Sequence, residues 1–196
     1  MRSFLAGVVL LGSATANAAV ITIDFEQFAG VVSTFEVVAP VVALNDGFVL
    51  SPDPVGNALW VTEVAGPNPR SIDIVFQGAG GSIDLSRTDG AVFDFLSVDL
   101  AFFSAGTFPV EFSATKAGGA EVSLVVNHLA IDVNYATYAA SPIFSDIVSL
   151  TIQTGDGNPS MALDNIVVSA VPVPAAVWLF GSALAGLGWM RRKQTV

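Results

Sequence analysis

The stretch AVFDFLSVDLAFF, residues 91–103, decides the fold of this chain. Its apolar residues alternate with others, the period-two pattern of a β-strand that buries one face. The phase changes midway, because Phe93 and Phe95 occupy odd positions, whereas the next alternating residues occupy even ones: Leu96, Val98, Leu100 and Phe102. The pattern therefore predicts a β-bulge near Phe95 and Leu96, or two strands that bend across the layer.

Further alternating runs surround this stretch, and between residues 20 and 169 no run of ten or more residues has the helical period of 3.6. The alternating runs are VITIDFEQ (20–27), SIDIVF (71–76), PVEFSAT (109–115), EVSLVV (121–126) and VSLTIQ (148–153). Glycine-containing turn pairs separate them, and Lys-Ala-Gly-Gly at 116–119 predicts a hairpin. Weaker patterning over residues 30–58 predicts long loops. The fold class expected is all-β, a two-sheet antiparallel sandwich of jelly-roll-like form over residues 19–169.

The composition excludes several kinds of site. The chain of 196 residues contains no cysteine, so it forms no disulfide and no thiolate metal site. Four of its seven basic residues lie in the terminal segments, which leaves Arg70, Arg87 and Lys116 against all 17 acidic residues. Phosphate backbones would be repelled by such a domain, so we expect no nucleic-acid partner.

The first 18 residues, MRSFLAGVVLLGSATANA, have the three parts of a secretory signal peptide. Arg2 supplies a positive start, an apolar stretch follows, and Ala16 and Ala18 form an A-x-A cleavage motif. The alternative is a buried N-terminal helix, but this segment does not have the separate apolar and polar faces of such a helix. We expect an export translocase and signal peptidase as partners, with cleavage between Ala18 and Ala19.

The other end of the chain, VPVPAAVWLFGSALAGLGWMRRK at 171–193, predicts a transmembrane helix. Residues 175–190 carry no charge, and at about 1.5 Å per residue they approach the roughly 30 Å of a bilayer's hydrocarbon core. Pro172 and Pro174 favour an extended segment before the helix. The basic tail 191–196 would stay on the cytoplasmic side by the positive-inside rule.

This C-terminal stretch resembles the PEP-CTERM sorting signal in its VPLPA-like variant, with a Pro-x-Pro motif, a hydrophobic helix and a basic cluster in that order. Val173 stands between the prolines, where the commonest form of the signal has Glu. The resemblance implies that an exosortase-type membrane enzyme processes the chain within 170–174. A transiently anchored protein would then pass to the cell surface or extracellular matrix of a Gram-negative bacterium. A plain single-span anchor is the alternative. The residues implied in sorting are Val171, Pro172, Val173, Pro174, Ala175, Arg191, Arg192 and Lys193.

A second resemblance concerns the central domain. The runs DGAVFDFLSVDLAFF (89–103) and SMALDNIVVS (160–169) are similar to ectodomains common among proteins with this tail, and through them to carbohydrate-binding β-sandwiches. In such sandwiches a structural calcium often joins the first and last strands. The resemblance places that calcium at Asp24, Glu26, Asp164 and Asn165.

Plain alternation puts Asp164 on the same face as Ile166 and Val168, an unusual place for a solvated acid. This position favours a ligand role for Asp164. The alternative is that Asp24 and Glu26 form a solvated strand face and that Asp164 belongs to a strand-end turn.

Little in the sequence indicates catalysis. The single histidine, His128, lies after an alternating strand, where a turn or strand-end position is the ordinary expectation. No nucleophile-elbow, HExxH or phosphate-loop motif is present. A glycan-active hydrolase would need a carboxylate pair that the sequence does not single out. We therefore expect a protein without enzymatic activity.

Three aromatic residues outside the tail are candidates for stacking on sugar rings: Trp60, Tyr135 and Tyr138. Each has the alternative of filling the core or rim of the sandwich. The sequence thus predicts an exported, exosortase-sorted surface or matrix protein with a structural or adhesive role, and extracellular polysaccharide is the partner we expect for it. The alternative functions are a carbohydrate-binding module and, less favoured, a glycan-active hydrolase.

The predicted processing has a direct test in the intact mass of the mature protein from its native host. We expect a chain that begins at Ala19, ends within 171–175 and is recovered outside the inner membrane. A chain that still ends at Val196 in the inner membrane would instead show an ordinary tethered domain.

Overall fold

A computed structural model of the chain describes residues 18–25, 36–38, 42–44, 47–53, 59–63, 72–76, 81–102, 104–130, 135–155 and 161–170. These residues form β-strands joined by turns and one short 3₁₀ segment. The strands are β1 (Ala19–Ile23), β2 (Glu36–Val38), β3 (Val42–Ala43), β4 (Phe48–Asp53), β5 (Leu59–Glu63), β6 (Ile72–Phe76), β7 (Ser82–Arg87), β8 (Phe93–Phe102), β9 (Gly106–Lys116), β10 (Glu121–Ala130), β11 (Ala136–Ala139), β12 (Ile147–Thr154) and β13 (Met161–Ala170).

The strands pair antiparallel in one sheet that curls into two layers, which confirms the predicted jelly-roll-like sandwich. Layer 1 has the order β2-β5-β6-β13-β8-β11, with β1 on β13 beside β6. Layer 2 has the order β3-β4-β7-β12-β9-β10. In the described ranges the layers are joined by the pairing of Ile147 on β12 with Phe93 on β8.

The two central strands of layer 1 carry a bulge each. Val168 lies opposite Phe95 and Val167 opposite Ser97, so Leu96 of β8 has no partner on β13 and is 39% exposed. The predicted bulge at this point is therefore confirmed. It lets the residues on both sides of Leu96 bury their apolar side chains on the same inner face.

The bulge on β13 lies at Asn165, which adopts a left-handed backbone with φ of 46°. Asp164 lies opposite Asp99, whereas Ile166 and Val168 remain in the core. The expectation that Asp164 shares a face with Ile166 and Val168 is wrong, because the extra residue reverses the alternation. Asp164 points to the outer face of layer 1, the face directed away from the sandwich core.

Aromatic contacts across the core hold the two layers together. Phe48 meets Phe93 edge-on at 5.2 Å between ring centroids, and Phe95 stacks on Phe112 at 5.6 Å. Phe102 stacks on Phe108 at 4.7 Å near the other end of β8. Each pair joins one layer to the other and contributes about 0.5–1.5 kcal/mol beyond the burial of its area.

The predicted hairpin at 116–119 is confirmed. Strands β9 and β10 pair without a register shift over their whole length. The N–H of Lys116 donates to the carbonyl of Ala120 at 2.8 Å, and Gly119 takes the left-handed backbone, with φ of 81°, that the turn requires.

The expectation of long loops across residues 30–58 is wrong for part of that region, because β4 pairs with β7 over six residues. Phe48 and Leu50 alternate into the core. Pro52 lies within β4, and in the described residues the pairing of β4 with β3 covers Val49 and Leu50 and does not reach Pro52. Proline is tolerated in a strand where its nitrogen does not face an acceptor on a neighbouring strand, because proline has no N–H to donate.

The predicted terminal segments lie outside the described residues. These are the signal peptide up to residue 17, with Ala16, and the processing, helical and basic segments at 171–196. Within the described ranges, no helix has the length and apolar character needed to cross a membrane.

Removal of Leu96 tests the dependence of the fold on the bulge. Without the extra residue, one half of β8 must turn its apolar side chains outward, because a shift of one residue moves a strand's side chains to the other face. We expect the deletion to abolish the cooperative unfolding transition in urea. The matched substitution Leu96→Ala should change the free energy of unfolding by less than about 1 kcal/mol, since the side chain is 39% exposed and lies on the outer face. A cooperative transition near that of the wild type after the deletion would contradict this account.

Candidate functional site

The outer face of layer 1 brings predicted residues from separate runs together. Ala162 lies opposite Ala101 between β13 and β8, and Tyr135 packs against both. One step along the strands, Asp164 lies opposite Asp99, and Thr137 of β11 lies on the other side of Asp99. The residues Asp99, Thr137, Asp164 and Asn165 are termed the outer-face cluster.

The amide of Asn165 bridges two carboxylates. Its Nδ2 donates to Oδ2 of Asp99 at 2.8 Å and to Oδ2 of Asp164 at 3.3 Å. The backbone N–H of Asn165 donates to Oδ1 of Asp164 at 2.8 Å, and the hydroxyl of Thr137 donates to Oδ1 of Asp99. Like charges directly opposite in a sheet are destabilising, and these donors offset that repulsion.

Burial within the cluster is graded. Asp164 is 3% exposed, Asp99 and Asn165 are half-buried, and Thr137 is exposed. Tyr135 is also half-buried. The cluster therefore has a fixed inner carboxylate and an accessible rim formed by Asp99, Asn165 and Thr137.

Trp60 lies in the same cross-strand row as the two alanines. On β5 it pairs with Val75 of β6, which in turn pairs with Ala162. The side chain of Trp60 lies outside the described part of the structure. The backbone thus places Trp60 and Tyr135 in one row of layer 1, at opposite ends.

Tyr138, the third predicted aromatic residue, faces the core instead. It lies opposite Val98 on the inner face, and its hydroxyl and Nδ1 of His128 form a hydrogen bond of 2.9 Å. The ring of Tyr138 packs against the hydrophobic core. This position favours a structural role for Tyr138 over a sugar platform.

His128 lies within β10 and is buried, not at a turn or strand end as expected. Burial lowers its pKa below the ordinary value and raises the pKa of Tyr138 above the ordinary value. Among the described residues, Nε2 of His128 has no hydrogen-bond partner. The pair joins the edge strand of layer 2 to the edge strand of layer 1 across the core, so the ring of His128 is structural.

The predicted calcium residues come close in register but do not form an oxygen-only set. Ile23 pairs with Ile166, so Asp24 comes next to Asn165 where the first and last strands meet, as expected. Asp24 is exposed, and Glu26 lies outside the described residues. Calcium requires oxygen ligands, whereas Asn165 turns its NH₂ group toward both carboxylates. The described part of the chain holds no group of three or more His, Cys, Asp or Glu residues suited to a metal ion.

Layer 2 has a different outer face, rich in hydroxyl groups. One cross-strand row runs through Ser123, Ser113, Thr151, Asp84 and Ser51. We call the outward side chains of β4, β7, β9, β10 and β12 the polar face. A groove of about 120 Å³ opens on it, lined by Pro109, Glu111, Val125, Gln153, Thr154 and Gly155.

The sequence analysis did not identify Asp99 or Thr137 as site residues. Asp99 belongs to the stretch that fixes the fold, but only the register across both bulges shows that it faces Asp164. Thr137 follows a part of the chain with weak patterning. The available signal was the position of Asp99 between the apolar residues Val98 and Leu100, which places it on the outward face of its predicted strand.

No protein-family model and no curated protein matches this chain. It is similar to solved structures of carbohydrate-binding modules. One is the Clostridium thermocellum xylanase 10B fragment with CBM22-1 and GH10 modules in complex with xylohexaose (18% identity, TM-score 0.42, 70% of this chain and 29% of that chain). Another is the C-terminal family 22 module of the same xylanase (11%, TM-score 0.44, 62% and 86%). A third is a family 29 module variant complexed with mannohexaose (13%, TM-score 0.46, 79% and 92%).

A calcium titration followed by thermal unfolding tests the predicted metal site. Because Asn165 presents hydrogen atoms to both carboxylates, we expect millimolar calcium to shift the unfolding midpoint by less than about 1 °C. A ligand at 100 times its dissociation constant adds about 2.7 kcal/mol to the free energy of unfolding. A rise of several degrees that EDTA reverses would therefore establish calcium binding and would require the Asn165 amide to rotate.

Proposed function

We propose that this chain is an exported β-sandwich protein that binds polysaccharide through the outer-face cluster and Tyr135. The single observation that carries this proposal is the bridged carboxylate pair of Asp99 and Asp164 beside a partly exposed tyrosine ring. A structural or adhesive role at the cell surface or in the extracellular matrix follows from such binding. The similarity to carbohydrate-binding modules accords with this function.

The chemistry of the cluster suits a neutral, polyhydroxylated ligand. The carboxylate oxygens of Asp99 accept hydrogen bonds, and the hydroxyl of Thr137 both donates and accepts. Tyr135 offers an aromatic surface for the apolar face of a sugar ring, beside the two small alanines. Because Asp99 is already held by two donors, it is oriented before a ligand arrives, which lowers the entropic cost of binding.

The terminal segments supply the proposed location. The signal peptide would direct the chain to the translocase and signal peptidase, and the Pro-x-Pro motif with its basic tail would direct it to an exosortase-type enzyme. The released domain would then meet the polysaccharide of the surface or matrix. A purely structural matrix protein that binds no defined glycan is the second candidate, and the same resemblance to a sorting signal supports it.

The binding test uses affinity electrophoresis of the mature protein in gels that contain xylan, mannan or the host's own extracellular polysaccharide. We expect retardation by at least one of these polymers. Asp99→Ala and Tyr135→Ala should each weaken binding about tenfold to a hundredfold, since a lost hydrogen bond to a charged group costs about 1.5–3 kcal/mol and a lost aromatic contact a similar amount.

Asp84→Ala is the matched control, because Asp84 also accepts a hydrogen bond from a cross-strand threonine, Thr151, but on the polar face of layer 2. It should leave binding unchanged. Equal loss of binding in Asp84→Ala and Asp99→Ala would contradict a binding site at the outer-face cluster if both variants are folded. Circular dichroism shows whether they are folded. Absence of retardation by every polymer would refute polysaccharide binding and leave the structural role.

A further inference from the structure

We propose that the outer edge of β10 is an interface that pairs with β10 of a second copy of this chain, antiparallel and about a twofold axis. This proposal goes beyond polysaccharide binding and rests on separate observations. Strand β10 spans Glu121–Ala130 and pairs with β9 alone among the described strands. We call its other side the free edge.

The free edge lacks the features that normally prevent strands from pairing between molecules. Natural edge strands are short, bulged, or carry lysine or proline. Strand β10 has ten residues, none of them lysine or proline, and its register with β9 contains no shift. Its outward side chains include Val125, which is 56% exposed, and Leu129, which is 61% exposed.

The hairpin geometry shows which backbone groups the free edge presents. Lys116 donates its N–H to the carbonyl of Ala120, so that pair is hydrogen-bonded. Hydrogen-bonded and non-hydrogen-bonded pairs alternate along an antiparallel ladder. The even-numbered residues of β10 therefore form backbone hydrogen bonds with β9. The odd-numbered residues direct their N–H and C=O groups away from β9, toward the free edge. These odd-numbered residues are Glu121, Ser123, Val125, Asn127 and Leu129.

A register centred on Val125 satisfies these groups with a second copy. Val125 then faces its own equivalent, Ser123 faces Asn127, and Glu121 faces Leu129. Such a ladder is about 30 Å long and forms on the order of ten hydrogen bonds. In this register each odd-numbered residue pairs with an odd-numbered residue of the second copy, and both side chains lie on the polar face. The apolar side chains of the two copies of Val125 therefore contact each other.

The single charge of β10 is compatible with a second copy of the strand and favours the antiparallel orientation. Glu121 is the only charged residue on the strand. In the antiparallel arrangement the two copies of Glu121 lie at opposite ends, about 27 Å apart, which is beyond the roughly 8–10 Å over which salt screens exposed charges. A parallel arrangement would place them side by side, where like charges destabilise a sheet.

Pairing of this kind would join layer 2 of both copies into one sheet. The paired residues all have their side chains on the polar face, so the polar faces of the two copies form a continuous surface. Two copies of the outer-face cluster would also be linked in one particle. Binding to a repetitive polymer would then gain from effective concentration without new contacts.

The absence of cysteine allows a clean cross-linking test on the full chain in detergent. In the variant Val125→Cys, the proposed register brings two Cα atoms to about 5.5 Å, within the range that a disulfide spans. Ala117→Cys is the matched control, because Ala117 is exposed in the turn of the same hairpin but has no counterpart of its own in the register. We expect mild oxidation with copper–phenanthroline to give about tenfold or more covalent dimer from Val125→Cys, since paired thiols have a high effective concentration.

Two substitutions in the Val125→Cys background separate strand pairing from simple proximity. Ser123→Pro removes one outward N–H and leaves the bonds to β9, whereas Ser123→Ala retains the N–H. The dimer should be lost with proline and kept with alanine, at equal thermal unfolding midpoints. Equal yields from Val125→Cys and Ala117→Cys, a dimer that persists in Ser123→Pro, or a cross-linked product with the mass of another protein would each overturn the proposal.

Discussion

The paired bulges at Leu96 and Asn165 are the constraint on which the rest of the structure depends. Strands β8 and β13 of layer 1 have ten residues each, and the apolar residues of β8 change phase midway. An unbulged ladder would expose half of these side chains to water, at a cost of about 1.5–3 kcal/mol for each. Leu96 absorbs the change on β8, and Asn165 absorbs it on β13. The aromatic contacts between the layers require both.

The bulge on β13, which keeps Ile166 and Val168 in the core, also forms the proposed binding surface. By reversing the alternation of β13, the bulge turns Asp164 away from the core and places it opposite Asp99. Asn165 then serves twice, because its left-handed backbone forms the bulge and its amide bridges the two carboxylates. Asparagine tolerates this backbone better than most residues. A requirement of the fold and the proposed binding site are therefore linked through Asn165.

The residues of β10 and its neighbour Tyr138 show how tertiary contacts determine the role of a residue. His128 and Tyr138 are the groups that a search for catalysis or sugar binding examines first, yet they bond to each other inside the sandwich. Strand β10 turns its even-numbered residues toward the core and leaves Val125 and Leu129 on the surface. The residues proposed to contact other molecules are thus ordinary in the sequence, and the conspicuous ones stabilise the fold.

Alternation and turn chemistry, which are local, determined much of this protein from the sequence alone. The strand character, the hairpin at 116–119 and the bulge near Leu96 follow from spacing over a few residues. The meeting of the first and last strands is instead what the resemblance to carbohydrate-binding sandwiches implies. Tertiary structure decided the face on which Asp164 lies and the contacts of Asp99, Thr137 and Tyr135. Those contacts join strands far apart in the chain, and their register depends on a second bulge at Asn165. The apolar residues of β13 also change phase, from odd positions at Met161 and Leu163 to even positions at Ile166 and Val168, but the apolar Ala162 and Val167 at the intervening positions obscure the change.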